Sequence, residues 1–131
     1  MTKTLKGAVA LACALLAACG QQQEGSQTTP GGKPMTPAPA AFAMCASCHS
    51  VAPGRHSAGP SLAGIWGDKA GSQPGYAYSA ALKGSGVVWD AQTLDQWLQG
   101  PMRMVPGTRM VVGLPNPEAR AAVIAYIEKL K

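Results

Sequence analysis

Five consecutive residues, Cys45-Ala46-Ser47-Cys48-His49, restrict this chain more than any other feature. Two thiols about one helical turn apart can add to the two vinyl groups on one edge of a porphyrin. The next residue then carries an imidazole over the ring face to the iron. Cys-x-x-Cys-His is the spacing of c-type haem attachment. A thioredoxin-like thiol pair would follow a strand in a βαβ unit, and no such unit is readable here. A zinc site needs a second pair of Cys or His, yet only His56 remains. The motif therefore predicts one covalent haem c on Cys45 and Cys48, with His49 as an axial ligand. The composition agrees with that prediction. Seven aromatic residues in 131 make a thin core, and 16 Gly and 11 Pro make a loop-rich chain. A core this small needs a staple such as a cofactor.

The other two cysteines belong to the N-terminus. Lys3 and Lys6 precede a short apolar run over residues 7–18, which ends Leu16-Ala17-Ala18-Cys19. The run has the length of a signal-peptide core and is too short to span a bilayer as a helix. Small residues before a Cys resemble a bacterial lipobox, which predicts cleavage before Cys19 and its acylation, with Cys13 lost. Ordinary secretory cleavage without lipid is the competing reading. Residues 20–40, GQQQEGSQTTPGGKPMTPAPA, lack apolar periodicity and read as a flexible linker. As a coil, these residues would span roughly 25 Å. The expected organisation is a signal peptide over 1–18, a lipidated Cys19 and linker over 19–40, and one domain over 41–131. Without residues 1–18 the formal charge falls from +5 to +3. No basic stripe with interleaved aromatics remains, so nothing suggests a nucleic-acid partner.

Within 41–131 the periodic signals are helical and no clean strand alternation appears. Asn116 reads as an N-cap, with Pro117 at the first helical position and Val123, Tyr126, Ile127 and Leu130 on one face. A helix opening at Asp90 carries Leu94, Trp97 and Leu98, and Gly100-Pro101 stops it. A helical turn is expected over 79–83, ended by Gly84. A helix over about 38–47 should lead into the cysteine motif.

A second axial ligand is expected from Met or His. Met35 is in the linker, and Met44 adjoins the attachment motif and cannot easily reach the other ring face. Met102, Met104 and Met110 are expected on a Pro/Gly-rich loop after the Asp90 helix, and for each of them core packing competes with ligation. His56 reads as exposed or loop-bracing.

The local sequence decides among these methionines. Val105-Pro106-Gly107-Thr108-Arg109-Met110 resembles the methionine loop of class I cytochromes c, the mitochondrial and c2-like group. Gly59-Pro60-x-Leu62-x-Gly64-Ile65-x-Gly67, Gly75-Tyr76-x-Tyr78-Ser79, Gly86-Val87-Val88-Trp89, Leu94-x-x-Trp97-Leu98-x-x-Pro101 and Ile124-Ala125-Tyr126-Ile127 follow the family order across the domain. The resemblance implies an all-α fold of three main helices, short helical turns and long loops around one haem. It implies Met110 as distal and His49 as proximal ligand, with the Pro60 carbonyl accepting from the His49 ring. It also implies Tyr78 and Trp89 as donors to a propionate, Thr108 as support for the methionine side, and a crossing of first and last helices near Phe42, Ile124 and Tyr126. Two residues depart from the pattern. Trp97 stands where most relatives carry Tyr, and its indole can donate but not accept, which puts the hydrogen bond to the methionine sulfur at issue. Asp68 stands where relatives often carry a basic residue near the propionates. The lysine ring used for docking by mitochondrial relatives is also missing, which implies a more apolar, less salt-dependent contact.

The function implied is one-electron transfer by a monomer with no small-molecule substrate and no catalytic residues. It would sit in a bacterial periplasm, anchored by lipid to either membrane. Transient redox partners such as a quinol-oxidising cytochrome complex and a terminal oxidase would serve it. Competing readings are the cytochrome subunit of a periplasmic dehydrogenase, a haem sensor in which Met110 leaves the iron, and a purely structural lipoprotein.

Overall fold

Helix capping chemistry sets most of the architecture. A computed structural model of the protein describes residues 36–131. Its elements are a 3₁₀ turn at Ala40–Phe42, then α1 (Ala43–Ala46), α2 (Ala80–Lys83), α3 (Ala91–Gln99), α4 (Pro101–Met104) and α5 (Pro117–Glu128). Among the described residues there is no strand, only an isolated bridge between Lys69 and Val88. The expected signal peptide over 1–18, Cys19, Met35 and the expected linker up to residue 35 lie outside the described residues.

α5 begins as its sequence predicts. The Asn116 side chain accepts from the Ala119 amide at 2.7 Å, and Pro117 occupies the first turn, where its missing N–H costs nothing. α3 is capped more fully than expected. Asp90 accepts from the Thr93 amide at 2.8 Å, while the Thr93 hydroxyl accepts from the Asp90 amide at 2.9 Å, a reciprocal capping box. Ser79 caps α2 through the Leu82 amide, and Gly84 ends it.

Two expectations need correcting. The helix expected over 38–47 is only the 3₁₀ turn followed by the single turn of α1. Pro39 is extended, and Ala38, as the residue before a proline, is disfavoured in the α region, so helical backbone starts no earlier than Ala40. The segment after Gly100 is not a loop throughout. Pro101 ends α3 but is well suited to the first position of a new helix, so α4 follows at once and carries Met102 and Met104. α3 and α5 are therefore the two long helices among the described residues.

The core lies where the first turn and α3 meet α5. Phe42 and Tyr126 pack edge to face, with ring centroids 4.6 Å apart and planes at 65°. Val123 is fully buried, and Leu94, Trp97, Leu98, Ile124 and Ile127 join the same cluster. The expected crossing of the chain's first and last helical segments is thus present at Phe42, Ile124 and Tyr126. Phe42 is the buried residue that fastens the attachment segment to α5. Phe42→Ala should destabilise the domain by roughly 3–5 kcal/mol, measured by guanidinium titration of the mature protein.

Candidate functional site

The short α1 hands the chain directly to the thiols. Cys45 lies in α1, and the amides of Cys48 and His49 both donate to the Cys45 carbonyl, at 3.1 and 2.9 Å. That single turn puts both sulfurs and the imidazole against the same cavity. Cys45 and Cys48 are not joined to each other in a disulfide. Burial pushes the Cys45 thiol above its ordinary range, partly opposed by a backbone hydrogen bond. A reactive thiolate nucleophile needs the opposite shift, so Cys45 is not poised as one.

The loop after the motif is built to hold His49. The Ser57 hydroxyl donates to the Cys48 carbonyl, and the Gly59 amide donates to the same carbonyl at 2.7 Å. Leu62 N–H donates to Ser50 at 2.8 Å. These bonds fold the loop back so that His49 Nδ1–H donates to the Pro60 carbonyl at 2.8 Å. A carbonyl can only accept, so Nδ1 carries the proton and Nε2 keeps a free lone pair. The ring lies flat on Gly59. A Cβ at that position would sit 2.4 Å from His49 Cε1 and 2.6 Å from Nδ1, so no side chain fits there.

The cavity has a volume of about 410 Å³, and its wall is mostly apolar, with Leu62, Ile65, Leu82, Leu94, Leu98 and Val123 prominent. Cys45, Cys48, His49, Pro60, Tyr78, Trp89, Trp97, Thr108 and Met110 all line it. The structure thus brings these nine residues to one cavity. Of the three methionines after the Asp90 helix, only Met110 reaches the cavity. Met102 and Met104, on α4, do not line it. Met44 lies at its rim and is more than half exposed.

Met110 is held by its neighbours on both sides. The Thr108 amide donates to the Val105 carbonyl at 3.1 Å, closing a turn with Pro106 and Gly107 at its centre. Gly107 has φ of 88°, the value a type II turn requires at that position and a side chain resists. Arg109 then donates from Nη1 to the Ala77 carbonyl at 2.5 Å. The departure at Trp97 proves compatible with the sulfur. Its Nε1–H donates to Met110 Sδ at 3.3 Å, so an indole fills the donor role.

Trp89 is buried beside Trp97, with centroids 5.3 Å apart, and Tyr78 packs on Tyr76 at 4.8 Å. Burial is the main cause that raises the Tyr78 phenol, followed by the neighbouring Tyr76 phenol, so it stays a neutral donor at physiological pH. Asp68 is exposed and does not line the cavity, although its backbone pairs with Trp89 at 2.9 Å. His56 is a brace. Its Nδ1 accepts from the Ser61 amide at 3.0 Å and its Nε2–H donates to the Pro74 carbonyl at 2.9 Å, away from the cavity wall.

Sequence reasoning missed Arg120. It is 8% exposed, on the buried side of α5, and paired with Asp95 through Nε at 2.7 Å. Its register was the available signal, since it lies three and four residues before Val123 and Ile124 on the packed face.

The donor set and the apolar wall fit a covalently attached haem. Two thiols, one imidazole of fixed tautomer and one thioether meet a single cavity, and Gly59 leaves room for the imidazole alone. The family described as Cytochrome c matches residues 37–131. Cytochrome c2 iso-2 of Magnetospirillum fulvum is 49% identical over 94 residues, covering 71% of this chain and 98% of that protein. Cytochrome c2 of Rhodopila globiformis is 41% identical over 105 residues, covering 79% and 99% respectively. Among solved structures, cytochrome cH from Methylobacterium extorquens superposes with a TM-score of 0.62 at 46% identity, over 67% of this chain and 90% of that one. The tight seat at Gly59 can be tested by filling it. Gly59→Ala should displace the His49 ring and yield severalfold less covalent haem per mole of protein, measured by haem stain against total protein on denaturing gels.

Proposed function

The chain belongs to the cytochrome c family as a class I, c2-like member with one covalent haem c, and from that premise we propose a ligand set, a path and a location for its work. Members of this family are electron carriers, not enzymes, and this chain is a monohaem electron carrier. The haem supplies the reversible one-electron couple of its iron.

Cys45 and Cys48 would carry the haem through thioether bonds, and His49 Nε2 and Met110 Sδ would ligate its iron. One observation carries this assignment. Both thiols, the imidazole and, of the methionines after the Asp90 helix, Met110 alone line one cavity. The Pro60 carbonyl strengthens His49 as a ligand by accepting its Nδ1 proton. Trp97 orients the Met110 sulfur and draws on its electron density. Thr108 would support the methionine side, and Trp89 and Tyr78 would donate to a propionate. With His49 and Met110 both ligating, no position on the iron would be left for a substrate, and the ligand set could stay the same in both oxidation states. Thioether ligation favours the ferrous form and raises the potential.

Absorption spectra test the assignment. The ferric protein should show the weak far-red band of methionine ligation, and a pyridine haemochrome of the denatured chain should be of c type. Met110→Ala should abolish the band and lower the potential by an appreciable part of the roughly 0.8 V range that axial ligation spans. A high-spin wild-type spectrum, or rapid CO binding to the ferrous form at neutral pH, would move the reading to a sensor in which Met110 leaves the iron.

Electrons pass through the cavity edge, where Met44, Val111 and Val112 are all more than half exposed and Arg109 is the one charged residue of the lining. That rim supports docking by apolar contact, with weak dependence on salt. The partners are a quinol-oxidising cytochrome complex and a terminal oxidase, met transiently by a monomer in the bacterial periplasm. Residues 1–18 act as a signal peptide, Cys19 carries lipid, and 19–40 tether the 41–131 domain to a membrane. No helix among the described residues is long and apolar enough to cross one. Intact mass of the mature protein should place its first residue at Cys19 with added acyl mass. An unmodified N-terminus would leave a free periplasmic carrier, and stable co-purification of a large dehydrogenase would make the chain that enzyme's cytochrome subunit.

A further inference from the structure

The methionine loop is fastened unequally. Before Met110 it is held by the 105–108 turn and by Arg109 on the Ala77 carbonyl. After Met110 the chain runs through Val111 and Val112, both exposed, before Leu114 N–H donates to the Leu98 carbonyl at 2.6 Å. At that point Arg120 closes over the chain. Its Nη1 donates to the carbonyls of Leu114 at 3.0 Å and Pro115 at 2.7 Å, while its Nε donates to Asp95 Oδ1 at 2.7 Å. Asp95 sits on α3, two residues from Trp97, and Arg120 sits on α5. One guanidinium therefore joins the end of the methionine loop to the helix that presents a donor to the methionine sulfur.

The chemistry suits a strap. A guanidinium offers donors in a rigid planar fork and cannot lose its charge, so it can serve two carbonyls and a carboxylate together. A lysine in its place has one ammonium centre and cannot match that geometry. The buried side chain has one anionic partner among the described residues, so losing either member leaves polar groups poorly satisfied beside the loop.

We propose that Arg120 is a positioning residue for Met110. By bracketing the Leu114 and Pro115 carbonyls from its place on Asp95, it holds the return limb of the loop against α3 and limits how often the thioether leaves the iron. The proposal rests on the ligand assignment above. The apparent affinity of an entering ligand scales with the fraction of molecules whose methionine is displaced. Arg120 therefore acts on exogenous ligand binding without touching the haem.

Imidazole titration of the ferric holoprotein is the test, with the far-red band and guanidinium stability read in parallel. Arg120→Lys should bind imidazole about tenfold more tightly than wild type, equivalent to about 1.4 kcal/mol. It should also lose part of the far-red band at neutral pH. Asp95→Asn keeps an acceptor oxygen and should shift binding the same way by less. Phe42→Leu supplies a control destabilised away from the loop, and its imidazole affinity should stay within about twofold of wild type. The strap is overturned if Arg120→Lys binds imidazole as wild type does. It is equally overturned if Phe42→Leu at matched stability gains as much affinity, because the effect would then be general loosening. If wild type lacks the far-red band and Met110→Ala binds imidazole no more tightly than wild type, the ligand assignment fails and the strap fails with it.

Discussion

The hydrogen bond from His49 Nδ1 to the Pro60 carbonyl organises the attachment side of the domain. For that carbonyl to reach the ring, the chain after Cys48 must reverse and return against the imidazole at Pro60, 11 residues after His49. The reversal uses the Cys48 carbonyl twice, once by Ser57 and once by Gly59, and the return leaves no space for a Cβ at Gly59. In exchange the imidazole has one tautomer and one orientation. A ligand that is already oriented loses little freedom on binding and moves little when the metal changes charge. The same loop carries His56, whose two nitrogens bond Ser61 and Pro74, so the Pro60 carbonyl is braced from behind as well.

The methionine side solves the same problem with different means. A thioether is a weak acceptor on a flexible stem, and it cannot be fixed by hydrogen bonds as an imidazole can. Position must come from the loop on either side and from a donor aimed at the sulfur. The turn at Pro106-Gly107, the indole of Trp97 and the guanidinium of Arg120 share that work. The substitution of indole for phenol has a physical consequence. Trp97 has one N–H and nothing that accepts, so its bond to Met110 ends there and cannot extend into a chain of further donors.

What was legible in the sequence was local. The attachment motif, the caps at Asp90 and Asn116 and the helical turn opened by Ser79 all act within a few residues, so spacing alone discloses them. Two helix boundaries misled for equally local reasons of opposite sign. Pro39 disfavours helical backbone at residue 38, whereas Pro101, which should stop a helix, also begins α4. Met110 could be separated from Met102 and Met104 only through the family resemblance, because which of three nearby thioethers faces the cavity depends on α4. Arg120 was legible only as a position on the packed face of α5, not in its role. A charged residue on the packed face of a helix has meaning only once α3 brings Asp95 alongside and the methionine loop ends beneath it.

The rim of the cavity bears on how such a carrier finds partners. Long-range attraction between charged faces raises encounter rates, but a cavity lining whose one charged residue is Arg109 has little to attract with. Burying exposed Met44, Val111 and Val112 against a partner supplies contact without direction, and it acts only at short range. A tether changes what such a surface needs. Under the proposed tether, confinement near a membrane that also held its partners would replace electrostatic steering by a high effective concentration, set by linker length and not by salt. The Gly-, Pro- and Gln-rich composition of residues 20–40 is the sequence feature on which that proposed tether rests. Weak apolar contact then releases quickly after each electron, which a carrier with a single redox centre requires at every turnover.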